Sequence, residues 1–126
     1  MKISLCIPMY NESSIAADTV KTVHAYMESF AAQTGHGYEV LFSNDGSTDG
    51  CADIVRRTAE ELGNPRITVT GYDKNRGKGA AVRHAMLESS GDVVVCTDCD
   101  LAYGVEVIGE AVNRFDGETD VLIGSR

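Results

Sequence analysis

No apolar run in this 126-residue chain approaches the ~18 consecutive residues that would span a bilayer. A secretory leader is not evident either. The first strand-like stretch, Ile3 to Pro8, follows Met1 and Lys2 directly, and no small-residue cleavage site comes after it. The expected compartment is the cytoplasm. Basic residues are scarce: eleven Lys and Arg against nineteen Asp and Glu give a net charge of −8 and a pI near 4.7. A nucleic-acid scaffold needs clustered cations, so this acidity argues against one. A nucleotide needs only a few placed donors and a metal ion. Internal repeats, low-complexity tracts and linkers are absent. The four cysteines read as thiols rather than disulfides in such a compartment.

What remains is a single globular domain, residues 1–126, with 43% hydrophobic and 24% charged residues. Ile3 to Ile7 is a short β-rich run closed by Pro8. From Ser13 to about Gln33 the residues Ile15, Thr19, Val23, Met27 and Phe30 recur at three- and four-residue steps, which predicts an amphipathic helix. Tyr38 to Phe42 predicts a second strand, and Ser43 to Gly50 a polar turn. Cys51, Val55, Ala59 and Leu62 mark a second helix, stopped by Gly63 and Asn64-Pro65. Ile67 to Thr70 is a third strand and Gly71 to Gly79 a glycine- and cation-rich loop. Ala80 to Glu88 is helical by propensity. Val93 to Cys96 is apolar throughout, so this fourth strand is expected to be buried on both faces. Val105 to Phe115 and Val121 to Ile123 complete the pattern as a helix and a fifth strand. The alternation predicts an α/β fold: a doubly wound, mostly parallel sheet with right-handed crossovers. Such sheets bind ligands beyond the carboxyl ends of their strands, where the strand order reverses.

Four successive strands leave functional-looking residues at that edge. The sharpest pair is Asp98 and Asp100. Two carboxylates one residue apart converge on a hard divalent cation, Mg2+ or Mn2+, which favours oxygen ligands and bridges to substrate phosphates. Without a cation they repel. The competing reading is a pair of caps before Val105. Asn75-Arg76-Gly77-Lys78-Gly79 supplies the opposite charge. Its glycines permit close backbone approach, and a helix N-terminus follows. It is no Walker A loop: Gly71 and Gly77 are separated by five residues, and Gly79 stands where Ser or Thr would hold a metal. Nor is it a dinucleotide fingerprint, because Val82 replaces the third small residue. Tyr10 could pack on a base, or be a turn residue against the first helix. Asp45 could accept from a ribose or a base, or close an Asx-turn. Cys96-Thr97-Asp98-Cys99 lacks the second pair of ligands that zinc requires. Cys96 is therefore expected to be a buried apolar residue, and Cys99 a spacer between carboxylates.

In order, Pro8-Met9-Tyr10-Asn11-Glu12, Asn44-Asp45-Gly46-Ser47-Thr48-Asp49-Gly50, Asn75-Arg76-Gly77-Lys78-Gly79 and Asp98-Cys99-Asp100-Leu101 resemble the serial motifs of family 2 glycosyltransferases. The resemblance is strongest to the polyprenyl- or dolichyl-phosphate hexosyltransferases. Asp120 to Arg126 is also similar to their pattern. The resemblance implies a Rossmann-like GT-A nucleotide-diphospho-sugar transferase fold, incomplete in this chain. It implies inverting transfer of a hexose from GDP or UDP to a polyprenyl phosphate, within cell-envelope glycan synthesis. Asp98 and Asp100 would be the catalytic DxD pair holding Mg2+ or Mn2+. Pro8, Tyr10, Asn11 and Glu12 would surround the base and ribose. Asp45, with Asn44 and Ser47 of the same motif, would bind the nucleoside. Lys78, with Asn75, Gly77 and Gly79, would lie near the phosphates of the donor or near the acceptor phosphate.

Two positions depart from the family pattern: Asn44 replaces an acid, and Ala102 replaces a polar residue that assists the metal. Family members also carry further residues that build the acceptor half, so this chain is expected to be the donor half. Association with the cytoplasmic face of a membrane would then come through segments it lacks. The alternative is a nucleotide-sugar-binding half-domain that needs further residues or a partner to turn over. A nucleotidyltransferase would place its glycine-rich loop after the first strand, where Pro8 to Glu12 holds no glycine.

Overall fold

Alternation along the first strand sets the architecture. A computed structural model describes residues 1–102 and 104–114. Its elements are β1 (Lys2–Met9), α1 (Ser13–Thr34), β2 (Gly37–Asp45), α2 (Cys51–Glu61), β3 (Ile67–Tyr72), α3 (Lys78–Glu88), β4 (Val93–Cys96) and α4 (Val107–Arg114). Ile3, Leu5, Ile7 and Met9 of β1 turn to one face and join Val20, Val23 and Met27 of α1, Val55 of α2, and Ile108 and Val112 of α4 in the main core. Cys6 turns to the other face and packs with Leu41, Ala85 of α3 and Val94. With helices on both faces, β1 is buried along most of its length, as a central parallel strand requires. Each large apolar side chain so buried contributes roughly 1.5–3 kcal/mol.

The four described strands are all parallel, in the order β3-β2-β1-β4. The chain steps outward from β1 through β2 to β3, then crosses back to lay β4 on the opposite side of β1. The strand order thus reverses between β1 and β4, and a crevice opens beyond their carboxyl ends. Among the described residues no helix is long and apolar enough to cross a membrane.

Several boundaries differ from expectation. Strand β1 runs through Pro8 to Met9. The β4 ladder ends at Cys6, so the N–H that Pro8 lacks is not needed on that side. Strands β2 and β3 extend to Asp45 and Tyr72, which pair in register and absorb the start of each expected loop. Gly71 lies within β3 at φ 134°, where a Cβ would fall 2.2 Å from the Asn44 carbonyl oxygen. Only glycine allows the strands to approach so closely there. Strand β4 is not buried on both faces: Val94 and Val95 are half-buried and Cys96 is exposed. The reason is position, since β4 is the outer strand of the described sheet. Helix α3 begins at Lys78, two residues before the propensity signal. The fifth strand expected over Val121 to Ile123, and the closing Asp120 to Arg126 pattern, lie outside the described residues.

Candidate active site

At the carboxyl ends of the strands lies a cleft of about 420 Å³, within the usual range for small-molecule sites. A wider depression of about 540 Å³ runs along β3 between Arg56 and Val69. It has no paired carboxylates, so the chemistry points to the first.

The floor of the cleft comes from the end of β1. Pro8, Met9, Tyr10 and Glu12 line it. Tyr10 is 48% exposed, which leaves its ring open to a planar partner. Asn11 adopts φ 51°, a left-handed conformation that asparagine tolerates better than most residues. This turn carries its side chain to the second motif, where Asn11 Oδ1 accepts from Thr48 N at 2.8 Å and Asn11 N donates to Ser47 Oγ at 2.9 Å. Asn44 Oδ1 accepts from Ser47 N at 3.0 Å. Asn11, Asn44 and Ser47 therefore knit two motifs together and are not among the residues lining the cleft.

Asp45 is buried at the end of β2 and lines the cleft. Its carboxylate accepts from Tyr72 Oη and Arg76 N at 2.8 Å, Asn75 Nδ2 at 2.9 Å and Gly77 N at 3.0 Å. A buried carboxylate with this many donors is well compensated. Its effect is to fold the Asn75 to Gly77 loop over the cleft. Tyr72 is pushed up to about 12 by desolvation and by the adjacent Asp45 carboxylate, so it stays a neutral donor. Arg76 stacks on its ring, 4.6 Å from the centroid. Asn75, Gly77 and Lys78 also line the cleft. Gly79, one residue further into α3, does not.

The opposite wall follows β4. Cys99 is buried, reversing the expectation for the two cysteines, and its carbonyl accepts from Thr19 Oγ1 at 2.7 Å. That anchor on α1 leaves Asp98 and Asp100, on either side, lining the cleft. The Cys99 thiol is pushed up to about 12, chiefly by burial and then by Glu12, so it is not a nucleophile at neutral pH. Asp98 pairs with the Lys78 ammonium. Asp100 Oδ1 accepts from Ala102 N at 3.1 Å, and Leu101 between them sits at φ 51°, an unfavourable backbone for a bulky side chain. Glu12 is raised above its ordinary value by burial and then by the charges of Asp100, Asp49 and Asp98. The cleft thus concentrates negative charge, with the Lys78 ammonium set against Asp98.

The donor set fits Mg2+ or Mn2+. Among the described residues no cluster of three or more His, Cys, Asp or Glu residues forms a metal cage. Two carboxylates with the remaining positions left to phosphate oxygens and water is the arrangement these ions favour. The Lys78 ammonium already occupies a cation position on Asp98.

Sequence reasoning missed Tyr72 and the part played by Asp49. The Asp49 carboxylate accepts from Ser13 N at 2.9 Å and Cys51 N at 3.1 Å, capping the first turns of α1 and α2 together. An acidic residue two positions before Cys51 was the available signal for α2. Nothing in the sequence signals its reach to α1.

The sequence model of glycosyl transferase family 2 matches residues 4–126. A bactoprenol glucosyl transferase of Shigella phage SfV is 30% identical over 126 residues, 100% of this chain and 39% of that protein. A dolichyl-phosphate beta-glucosyltransferase of Trichomonas vaginalis is 32% identical, over 95% of this chain and 37% of its own length. Among solved structures, a mannosyltransferase from Pyrobaculum calidifontis in complex with GDP-Man and Mn2+ matches with a TM-score of 0.67 and 28% identity, over 78% of this chain and 27% of that one. The chain spans under two-fifths of the length of these two relatives.

Proposed function

Since the chain belongs to glycosyl transferase family 2 and its sheet has the GT-A arrangement, we propose that the cleft binds a nucleotide-diphosphate hexose. The hexose is transferred with inversion to a polyprenyl phosphate. The observation that carries this reading is that Asp98, Asp100 and Lys78 line one crevice, where the strand order reverses, with Lys78 paired to Asp98.

The family resemblance, together with the residues that line the cleft, supports the following roles. Tyr10 stacks on the base at the β1 end, and Pro8 shapes the floor beneath it. The Asp45-held loop presents Gly77 and Lys78 to the diphosphate. Asp98 and Asp100 would hold Mg2+ or Mn2+, and the ion would supply Lewis-acid neutralisation of the charge on the nucleotide diphosphate. The acceptor oxygen approaches the anomeric carbon from the face opposite the diphosphate, so the configuration inverts. A lipid monophosphate has a second pKa near ~6 and is largely ionised at neutral pH. It needs no strong base, whereas a hydroxyl acceptor would need one within hydrogen-bond reach. The names of the bactoprenol and dolichyl-phosphate relatives support this acceptor class.

A second reading keeps the same cleft but limits the chain to donor binding, with turnover requiring further residues or a partner. The favouring observation is the share of its relatives that the chain spans. Calorimetry with UDP-glucose and GDP-mannose, with and without Mn2+, tests the common part. Binding should depend on Mn2+ and be lost in Asp100→Ala. Equal affinity with and without Mn2+ in both proteins removes the metal role. A transfer assay with a long-prenyl phosphate then separates turnover from binding alone.

A further inference from the structure

Lys78 is the single cation among the described residues lining the cleft, which also presents Glu12, Asp45, Asp98 and Asp100. Its place in the fold is unfavourable for helix stability. It is the first residue of α3, where the positive pole of the helix disfavours a cation, and the capping position, Gly77, offers no side-chain acceptor. The compensation lies across the cleft, where the ammonium pairs with Asp98.

Building on the donor-site reading above, we infer that Lys78 is a tethered stand-in for the divalent cation. It neutralises Asp98 until metal and diphosphate arrive together. A divalent ion shared by Asp98 and Asp100 would sit within a few ångströms of the ammonium, and the two cations repel. Metal entering the nucleotide-free cleft must displace Lys78 and gains no new partner for it. Diphosphate supplies that partner, because Lys78 can swing from the carboxylate to a phosphate oxygen. Metal and nucleotide therefore bind with positive coupling, and each raises the affinity of the other by the same factor. The lysine's exposure favours the exchange. Lys78 is 63% and Asp98 26% exposed, so their pair is screened and readily broken.

The test is Mn2+ binding by the full chain, read from the free-ion electron paramagnetic resonance signal, with and without UDP or GDP. Lys78→Met should bind Mn2+ about tenfold more tightly than the wild type when no nucleotide is present, the size expected for removing one charge beside a divalent ion at an exposed site. Adding nucleotide should then raise its affinity by a smaller factor than it raises that of the wild type, because phosphate oxygens still join the metal's ligands but no lysine has to be displaced. Adding Asp98→Asn to Lys78→Met should erase the gain. Circular dichroism melting of each variant checks that the fold is retained. If Lys78→Met binds Mn2+ no more tightly than the wild type without nucleotide, while both still bind it with nucleotide, the stand-in role is wrong and the donor-site reading stands. If neither protein binds Mn2+ with UDP or GDP, both fall.

Discussion

Asn75 is tied to Asp45 twice: its Nδ2 donates to the Asp45 carboxylate at 2.9 Å and to the Asp45 carbonyl at 3.2 Å. The glycine-rich loop is therefore shaped by a buried acid on β2 before any ligand arrives. Asp45→Ala should leave the amides of Arg76 and Gly77 without their acceptor and cost about 2–4 kcal/mol, since hydrogen bonds to a charged group are among the stronger ones. Urea denaturation reads the loss, and hydrogen exchange should quicken at those two amides. If exchange there is unchanged, the loop is held by something other than Asp45.

Two left-handed glycines separate backbone strain from crowding. Gly46 has φ 68°, and a Cβ there would lie 2.3 Å from Asn75 N and 2.4 Å from the Lys74 carbonyl carbon. Gly50 has φ 79° and nothing within 4 Å. An alanine at either position meets the left-handed penalty of about 1–2 kcal/mol. Only Gly46→Ala must also push one loop off another, so it should lower the melting temperature more than Gly50→Ala does. Equal effects would mean that the loops do not pack as described.

The double cap at Asp49 has a pH signature. Burial alone would raise its carboxyl, but the bonds from Ser13 N and Cys51 N outweigh that and hold it below the ordinary 3.8. A depressed acid stabilises the fold above its unfolded value, and that stabilisation is lost as pH falls through the folded value. Asp49→Ala should cost about 1–2 kcal/mol near neutral pH, from the loss of caps on two helices. Measured by urea unfolding, the gap from the wild type should narrow at pH 3. A gap independent of pH would show that the charged carboxylate is not what holds the helix ends.

The motif residues and the alternation of strands and helices were legible because both are local: helical spacing, an apolar run, a glycine beside a turn. What the sequence did not reveal depends on register between distant segments. Tyr72 meets Asp45 only because β2 and β3 pair with those residues opposite each other. The Val93 to Cys96 run is equally apolar whether its strand is central or outermost, so its exposure could not be read from composition. Within the motifs, polarity alone could not separate side chains that face the cleft, such as Glu12, from those that join loops, such as Asn11. That division is set by one left-handed turn.

Glu12 tests the electrostatics of the cleft without added ligand. It precedes the first turn of α1, where the helix dipole favours a negative charge by about 0.3–1 kcal/mol. Burial, followed by the charges of Asp100, Asp49 and Asp98, outweighs that, and the carboxyl is raised above its ordinary 4.5. A raised acid binds more protons in the folded chain than in the unfolded one, so stability falls as pH rises from 4.5 through the folded value. At neutral pH the ionised Glu12 is then a net cost. Glu12→Gln should be more stable than the wild type at pH 7, and the advantage should vanish below pH 4.5, where both side chains are neutral. Paired urea titrations at the two pH values measure it. A Gln variant that is less stable at pH 7 would mean the helix dipole dominates, and that the carboxylates do not converge in the cleft closely enough to act on one another.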